Sequence, residues 1–163
     1  MMKIYTDGSF NKKLSKNTTA YAAVIITEET NQDYIVDIVY GILTDFAYVN
    51  MWNVGGEIWA VLAGIDYAIS QYNPKDISLY YDYIGIGKWA NKEWKTNNPT
   101  TSSYARYMKN TMSERSVTFN KVAGHSNNQL NDLADEYANL GTKVYLETGK
   151  ISNLVSGLRI SKK

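Results

Sequence analysis

Asp7, Glu57, Asp82 and Asp135 are the side chains whose type and order along the chain point to chemistry. Each also has an ordinary local explanation. Asp7 sits in Thr6-Asp7-Gly8-Ser9, where an Asp-Gly-Ser sequence makes a turn by itself. Glu57 follows Gly55 and Gly56 at the head of an apolar helical pattern, where an acid complements the helix dipole. Asp82 ends the run Ser78-Leu79-Tyr80-Tyr81 and precedes a helix that it could cap. Asp135 lies in Asn131-Asp132-Leu133-Ala134-Asp135-Glu136, whose plain reading is a solvated helix face. His125, the only histidine, stands between Gly124 and Ser126 and reads equally well as a loop residue. Taken jointly, two acids at the ends of central strands, a third at the start of the intervening helix and a fourth on the last helix can converge at one sheet edge. Such a set of oxygen donors suits hard cations such as magnesium or manganese. Two ions roughly 3.5–4 Å apart activate a water and stabilise the leaving oxygen of a phosphodiester. Acids packed that closely repel one another without metal.

The elements that must carry these residues follow from periodicity. Lys3 to Thr6, Ala20 to Thr27 and Tyr34 to Leu43 are rich in β-branched and aromatic residues, and the polar run from Asp7 to Thr19 reads as a hairpin connection. From Glu57 the pattern changes to helical spacing through Ile58, Val61, Leu62, Ile65 and Ile69, until Asn73 and Pro74 stop it. Ile77 to Tyr81 and Val117 to Val122 are short apolar runs expected of buried strands. Ile84 to Ala90 and Tyr104 to Met112 read as helices between them, separated by a polar stretch ending at Pro99. A last helix is expected over about Gln129 to Leu140, ending at Gly141. The order predicts an α/β fold: a five-stranded mixed sheet, strands 1–3 antiparallel, with helices on both faces. In the tail, Ile151, Leu154, Val155 and Leu158 have helical spacing, so residues 143–163 are expected to carry a short amphipathic helix that docks on the 2–142 domain or on another protein.

Composition narrows the field. The 163 residues, 44% hydrophobic, suffice for one sizeable core. With 17 basic and 16 acidic side chains, any nucleic-acid affinity must come from local patches rather than net charge. The absence of cysteine excludes disulfides, thiolate zinc sites and a cysteine nucleophile. No stretch approaches the roughly 20 apolar residues of a membrane helix, and the first residues are already strand-like. A cytoplasmic monomer is expected.

The chain resembles the type I ribonuclease H family over about Met2 to Thr142. The resemblance is carried by Tyr5-Thr6-Asp7-Gly8-Ser9, Asn53-Val54-Gly55-Gly56-Glu57-Ile58, Leu79-Tyr80-Tyr81-Asp82, Val122-Ala123-Gly124-His125-Ser126 and Asn131 to Asp135, in the family's order and spacing. It implies a ribonuclease H-like fold and hydrolysis of the RNA strand of RNA–DNA hybrids, leaving 5′-phosphate and 3′-hydroxyl ends. It further implies two magnesium ions, replaceable by manganese, held by Asp7, Glu57, Asp82 and Asp135. His125 is implied to sit on a mobile loop and to help proton transfer or product release. Asp135 rather than Asp132 fits, because the family pattern places Asn six residues after His and Asp four further on. Asp82-Tyr83 and Gly87-Lys88-Trp89-Ala90 resemble a bacterial subgroup, many of whose members carry an amino-terminal hybrid-binding domain that is expected to be absent here. Tyr83 departs from the Ser that more commonly follows this Asp.

Between Ile86 and Lys121, Lys88, Lys92, Lys95, Arg106, Lys109, Arg115 and Lys121 face only Glu93 and Glu114, which makes this stretch the expected phosphate-tracking surface. Trp89 and Trp94 lie among them, and their alternative reading is helix packing. By resemblance, Gly8, Ser9 and Asn53 touch the RNA strand near the cut, Asn131 also binds the nucleic acid, and Lys88, Trp94 and Lys95 belong to the substrate-handling segment, which contacts the DNA strand. RNA is told from DNA by its 2′-hydroxyl, so base sequence should matter little. The competing readings are a noncatalytic hybrid-binding module and a fold relative of integrase or resolvase type acting on DNA.

Overall fold

The computed structural model describes residues 1–28, 33–123 and 128–161. Strands β1 (Met2–Ser9), β2 (Thr19–Glu28) and β3 (Asp33–Leu43) form an antiparallel meander, followed by a short helix α1 (Phe46–Val49) and the long α2 (Asn53–Tyr72). Next come β4 (Asp76–Tyr81), α3 (Gly85–Ala90), α4 (Pro99–Glu114), β5 (Ser116–Lys121), α5 (Gln129–Thr148) and β6 (Ser152–Ser161). The strands make one mixed sheet in the order β5-β4-β1-β2-β3-β6, with β4 parallel to both β1 and β5. The expected α/β architecture with helices on both faces is present, but the sheet has six strands rather than five.

Alternation along the strands sorts the core into two layers. Ile4, Ala23, Ile25, Ile77 and Leu79 point to the side covered by α2, α3 and α4, where they meet Ile58, Val61, Ile65, Ile86, Tyr104 and Met108. Tyr5, Val24, Ile26, Val36, Ile38 and Tyr40 point to the other side, beneath Ala134 and Ala138 of α5.

Strand β1 runs on to Ser9 and helix α2 begins at Asn53 rather than at Glu57, and three further differences from the sequence reading each have an identifiable reason. Helix α4 starts at Pro99, ahead of the expected Tyr104, because Asn98 and Thr101 form a reciprocal capping box with Pro99 in the first turn. Helix α5 does not stop at Gly141 but runs to Thr148. Gly141 lies against β3, where a Cβ would come within 2.6 Å of the Gly41 carbonyl oxygen, and the left-handed terminator is Gly149 (φ 76°).

The third correction concerns the tail, which pairs with β3 as strand β6 instead of forming the expected helix. Its register shifts between Val36 and Ile38, with Ser156 and Gly157 forming a bulge in which Gly157 adopts φ 74°. The bulge places Val155 opposite Ile38 and Leu158 opposite Val36, so residues three apart fall on the same side of the sheet. That spacing imitates a helix in the sequence. Asp37 of β3, buried beneath the bulge, accepts hydrogen bonds from the Gly157 amide (2.9 Å) and the Ser156 hydroxyl (3.1 Å) on one oxygen. Its other oxygen accepts from Tyr67 (3.0 Å) and Tyr72 on α2.

Candidate active site

The parallel pairing of β1 with β4 sets the geometry. Tyr5 stands opposite Tyr80, so continuing the register by two residues brings Asp7 to the level of Asp82 at neighbouring strand ends. Glu57 comes from the second turn of α2 and Asp135 from α5 on the opposite face. All four acids, with Gly8, Asn53, Asn131 and Asp132, line a single cavity of about 210 Å³.

Helix α2 is seated against β1 through glycine. A Cβ on Gly8 would lie 2.3 Å from the Asn53 carbonyl oxygen and 2.4 Å from the Glu57 amide nitrogen, and one on Gly56 would lie 2.1 Å from the Ala20 carbonyl oxygen. Only backbones without side chains approach so closely. Glu57, 2% exposed, is then held from the β4 side: its Oε1 accepts hydrogen bonds from the amides of Asp82 and Tyr83, both at 3.0 Å. It is not in the first turn of α2, so complementing the helix dipole does not account for it. Nor does Asp82 cap α3, whose first residues receive no side-chain bond. Asp7 does make the local contact that its sequence suggested, accepting from the Gly8 amide at 2.9 Å.

Electrostatics mark these acids as mutually strained. Burial, then the charge of Glu57, then the adjacent carboxyl of Asp135 raise Asp7 to about 8, against a smaller lowering by the Gly8 amide. Burial raises Glu57 to about 7, although the amides of Tyr83 and Asp82 and the charge of Lys121 oppose the shift. Among the described residues no three His, Cys, Asp or Glu side chains are drawn together as a ready-made metal cage. The donor set nevertheless fits magnesium, which keeps several waters and takes one or two carboxylates at a time rather than a closed protein shell.

The structure also places residues that the sequence reading did not single out. Asn139, one turn beyond Asp135 on α5, accepts from the Ser9 hydroxyl at 2.6 Å and reaches Asp135 Oδ1 at 3.5 Å, which ties β1 to the acid on α5. An Asn four residues after an Asp on a helix was the available signal. Asp132 shares the cavity wall with Asp135. Of the expected nucleic-acid contacts, Gly8, Asn53 and Asn131 line the cavity, whereas Ser9 is engaged with Asn139. Lys88 pairs with Glu93 at 3.5 Å, and Trp94 and Lys95 line a second, open depression of about 620 Å³ with Trp89 and Lys92. Trp89 is mostly buried and Trp94 is 40% exposed. Arg115 donates to the Pro74 carbonyl at 2.6 Å, a structural use. His125 lies outside the described residues.

A model of the RNase H family matches residues 1–143. The chain belongs to the RNase H family. Among solved structures, the amino-terminal RNase H domain of a Mycobacterium tuberculosis protein superposes with a TM-score of 0.66 at 16% identity, covering 91% of this chain and 98% of that one. RNase H1 from the archaeon Halobacterium salinarum gives 0.65 at 17% identity over 87% and 97%. LC11-RNase H1, solved in complex with an RNA/DNA hybrid, gives 0.64 at 18% identity over 90% and 99%. At this identity the likeness is one of fold. No curated protein matches by sequence. The RNase H match ends inside α5, so β6 lies beyond it. Among the described residues no helix is long and apolar enough to cross a membrane.

Proposed function

We propose that this RNase H family member is a magnesium-dependent endoribonuclease that hydrolyses the RNA strand of RNA–DNA hybrids, leaving 5′-phosphate and 3′-hydroxyl ends. The observation that carries the reading is the convergence of Asp7, Glu57, Asp82 and Asp135, from the ends of two neighbouring strands and from two helices on opposite sheet faces, on one cavity. A protein that merely bound hybrid would have no use for carboxylates held against their own repulsion. That a fold relative was crystallised with an RNA/DNA hybrid supports the choice of substrate.

In this reading the four carboxylates would hold two magnesium ions, which when bound would supply Lewis acidity to water and to the scissile phosphate. The chain's own part is positional. The amides of Asp82 and Tyr83 fix one oxygen of Glu57, which lines the cavity, and leave the other without a protein donor among the described residues. Ser9 and Asn139 orient Asp135 from the rim. Gly8 lets the head of α2, and with it Glu57, seat directly against β1 at the cavity wall, and Asn53 and Asn131 present side-chain amides suited to sugar hydroxyls. His125 is assigned the proton-transfer or product-release role, and Lys88, Trp94 and Lys95 the outer contacts to the hybrid.

The test is cleavage of a uniformly labelled hybrid with magnesium or with chelator, beside duplex DNA and duplex RNA. Cutting of the hybrid alone, abolished by chelator, is expected, and vigorous cutting of duplex DNA would defeat the assignment. Asp82→Asn should retain hybrid binding and lose at least about a hundredfold in kcat, the scale at which one electrostatic stabiliser is felt.

A further inference from the structure

Trp52 is 63% exposed and adopts φ 57°, ψ −131°, a backbone region that favours glycine. The surroundings force this conformation. Its amide donates to the Val49 carbonyl (2.9 Å), and its carbonyl accepts from the buried Thr19 hydroxyl (2.6 Å). A glycine would satisfy these bonds without strain, so the indole itself calls for a reason. It precedes Asn53, whose carbonyl abuts Gly8 at the cavity wall, and the ring of Phe10 stacks against it with centroids 6.4 Å apart and planes inclined by 29°. Phe10 leads directly into the β1–β2 connection, where Lys12, Lys13 and Lys16 are exposed and no acid intervenes before β2.

We infer that Phe10 and Trp52 form an aromatic platform that packs on the sugar faces of the RNA strand in the hybrid's minor groove, with the lysine-bearing loop meeting the phosphates beyond. This rests on the proposed function. An exposed indole with a half-buried phenyl ring stacked against it, beside a loop carrying three exposed lysines, suits the apolar face of a ribose next to its charged backbone. An acidic partner without rings would leave the indole uncovered, and an apolar partner would leave three ammonium groups unpaired. Intercalation is not required, since in a paired duplex the sugars rather than the base faces are what a groove presents at its rim.

The test separates the ring from its backbone. Trp52→Gly removes the indole and relieves the strain together, so the melting temperature should hold or rise while affinity falls. Binding of a fluorescent hybrid in chelator, followed by anisotropy, should weaken about tenfold in Trp52→Gly and Trp52→Ala, the scale of losing one aromatic contact to a nucleotide. Trp52→Phe should recover most of that loss. In magnesium the effect should fall on KM rather than on kcat. Unchanged affinity in Trp52→Gly, with a wild-type protein that cuts hybrid, overturns the platform and leaves the proposed function standing. A lower melting temperature with equal losses in KM and kcat assigns Trp52 to structure and also overturns it. If the wild-type protein neither binds nor cuts hybrid, both readings fall.

Discussion

Asp7 and Glu57 hold protons that free carboxyls would have lost, and this has a direction in pH. An unfolded chain ionises these groups near pH 4, whereas the folded, metal-free protein retains protons on Asp7 up to about 8 and on Glu57 up to about 7. The folded state therefore binds more protons across that window, and its stability falls as pH rises from about 4 to 8. Chelator-treated protein should melt at a lower temperature at pH 8 than at pH 5.5, and magnesium should restore most of the difference at pH 8, which scanning calorimetry would show. Asp7→Asn removes the most strained charge, so in chelator at pH 8 it should melt higher than wild type while failing to cut. A lower melting temperature for Asp7→Asn would mean that the carboxylates are not in conflict. At this scale the order of the acids was legible because type and spacing lie in the chain itself. The grip of the Tyr83 amide on Glu57 was not, since a backbone donor leaves no trace in residue identity, and Asn139 was hidden because it matters only through Ser9 from a distant strand.

At the level of elements, the start of α2 is positioned by what glycine lacks. Gly56→Ala would drive a methyl group into the Ala20 carbonyl, and overpacking of that kind costs about 1–3 kcal/mol. Urea denaturation should report such a loss, together with a fall in activity larger than the loss of folded protein, because Glu57 moves with the helix. An unaltered midpoint would show that α2 has room to shift. Periodicity located the long helices and central strands well, since their apolar faces bury in one direction. It misplaced the end of α5 because a glycine admitting a neighbouring backbone and a glycine terminating a helix are the same letter. Helix α1 escaped notice since four residues capped by Asp45 display no period.

At the scale of the whole molecule, the sheet extends beyond the stretch in which the family likeness resides. Burial raises Asp37, but bonds from Tyr72, Gly157, Tyr67 and Ser156 outweigh it and hold the group below its ordinary value. It therefore contributes stability above the unfolded pKa, near 4, that is lost as pH falls through its folded value. Asp37→Ala should cost about 1.5–3 kcal/mol, the scale of hydrogen bonds to a charged acceptor, and should leave hybrid cleavage intact at temperatures where the fold persists. A midpoint in denaturant equal to wild type would remove Asp37 from the anchoring of β6. The sixth strand could not be read from sequence because its bulge scrambles the alternation that marks a strand. A chain trimmed to residues 1–143 would lose the end of α5 and uncover the long outer margin of β3. Bare strand margins recruit one another. Such a trimmed protein should cluster as its concentration increases, with sedimentation shifting to heavier species, so β6 serves as a selvedge that keeps each molecule from being knitted to the next.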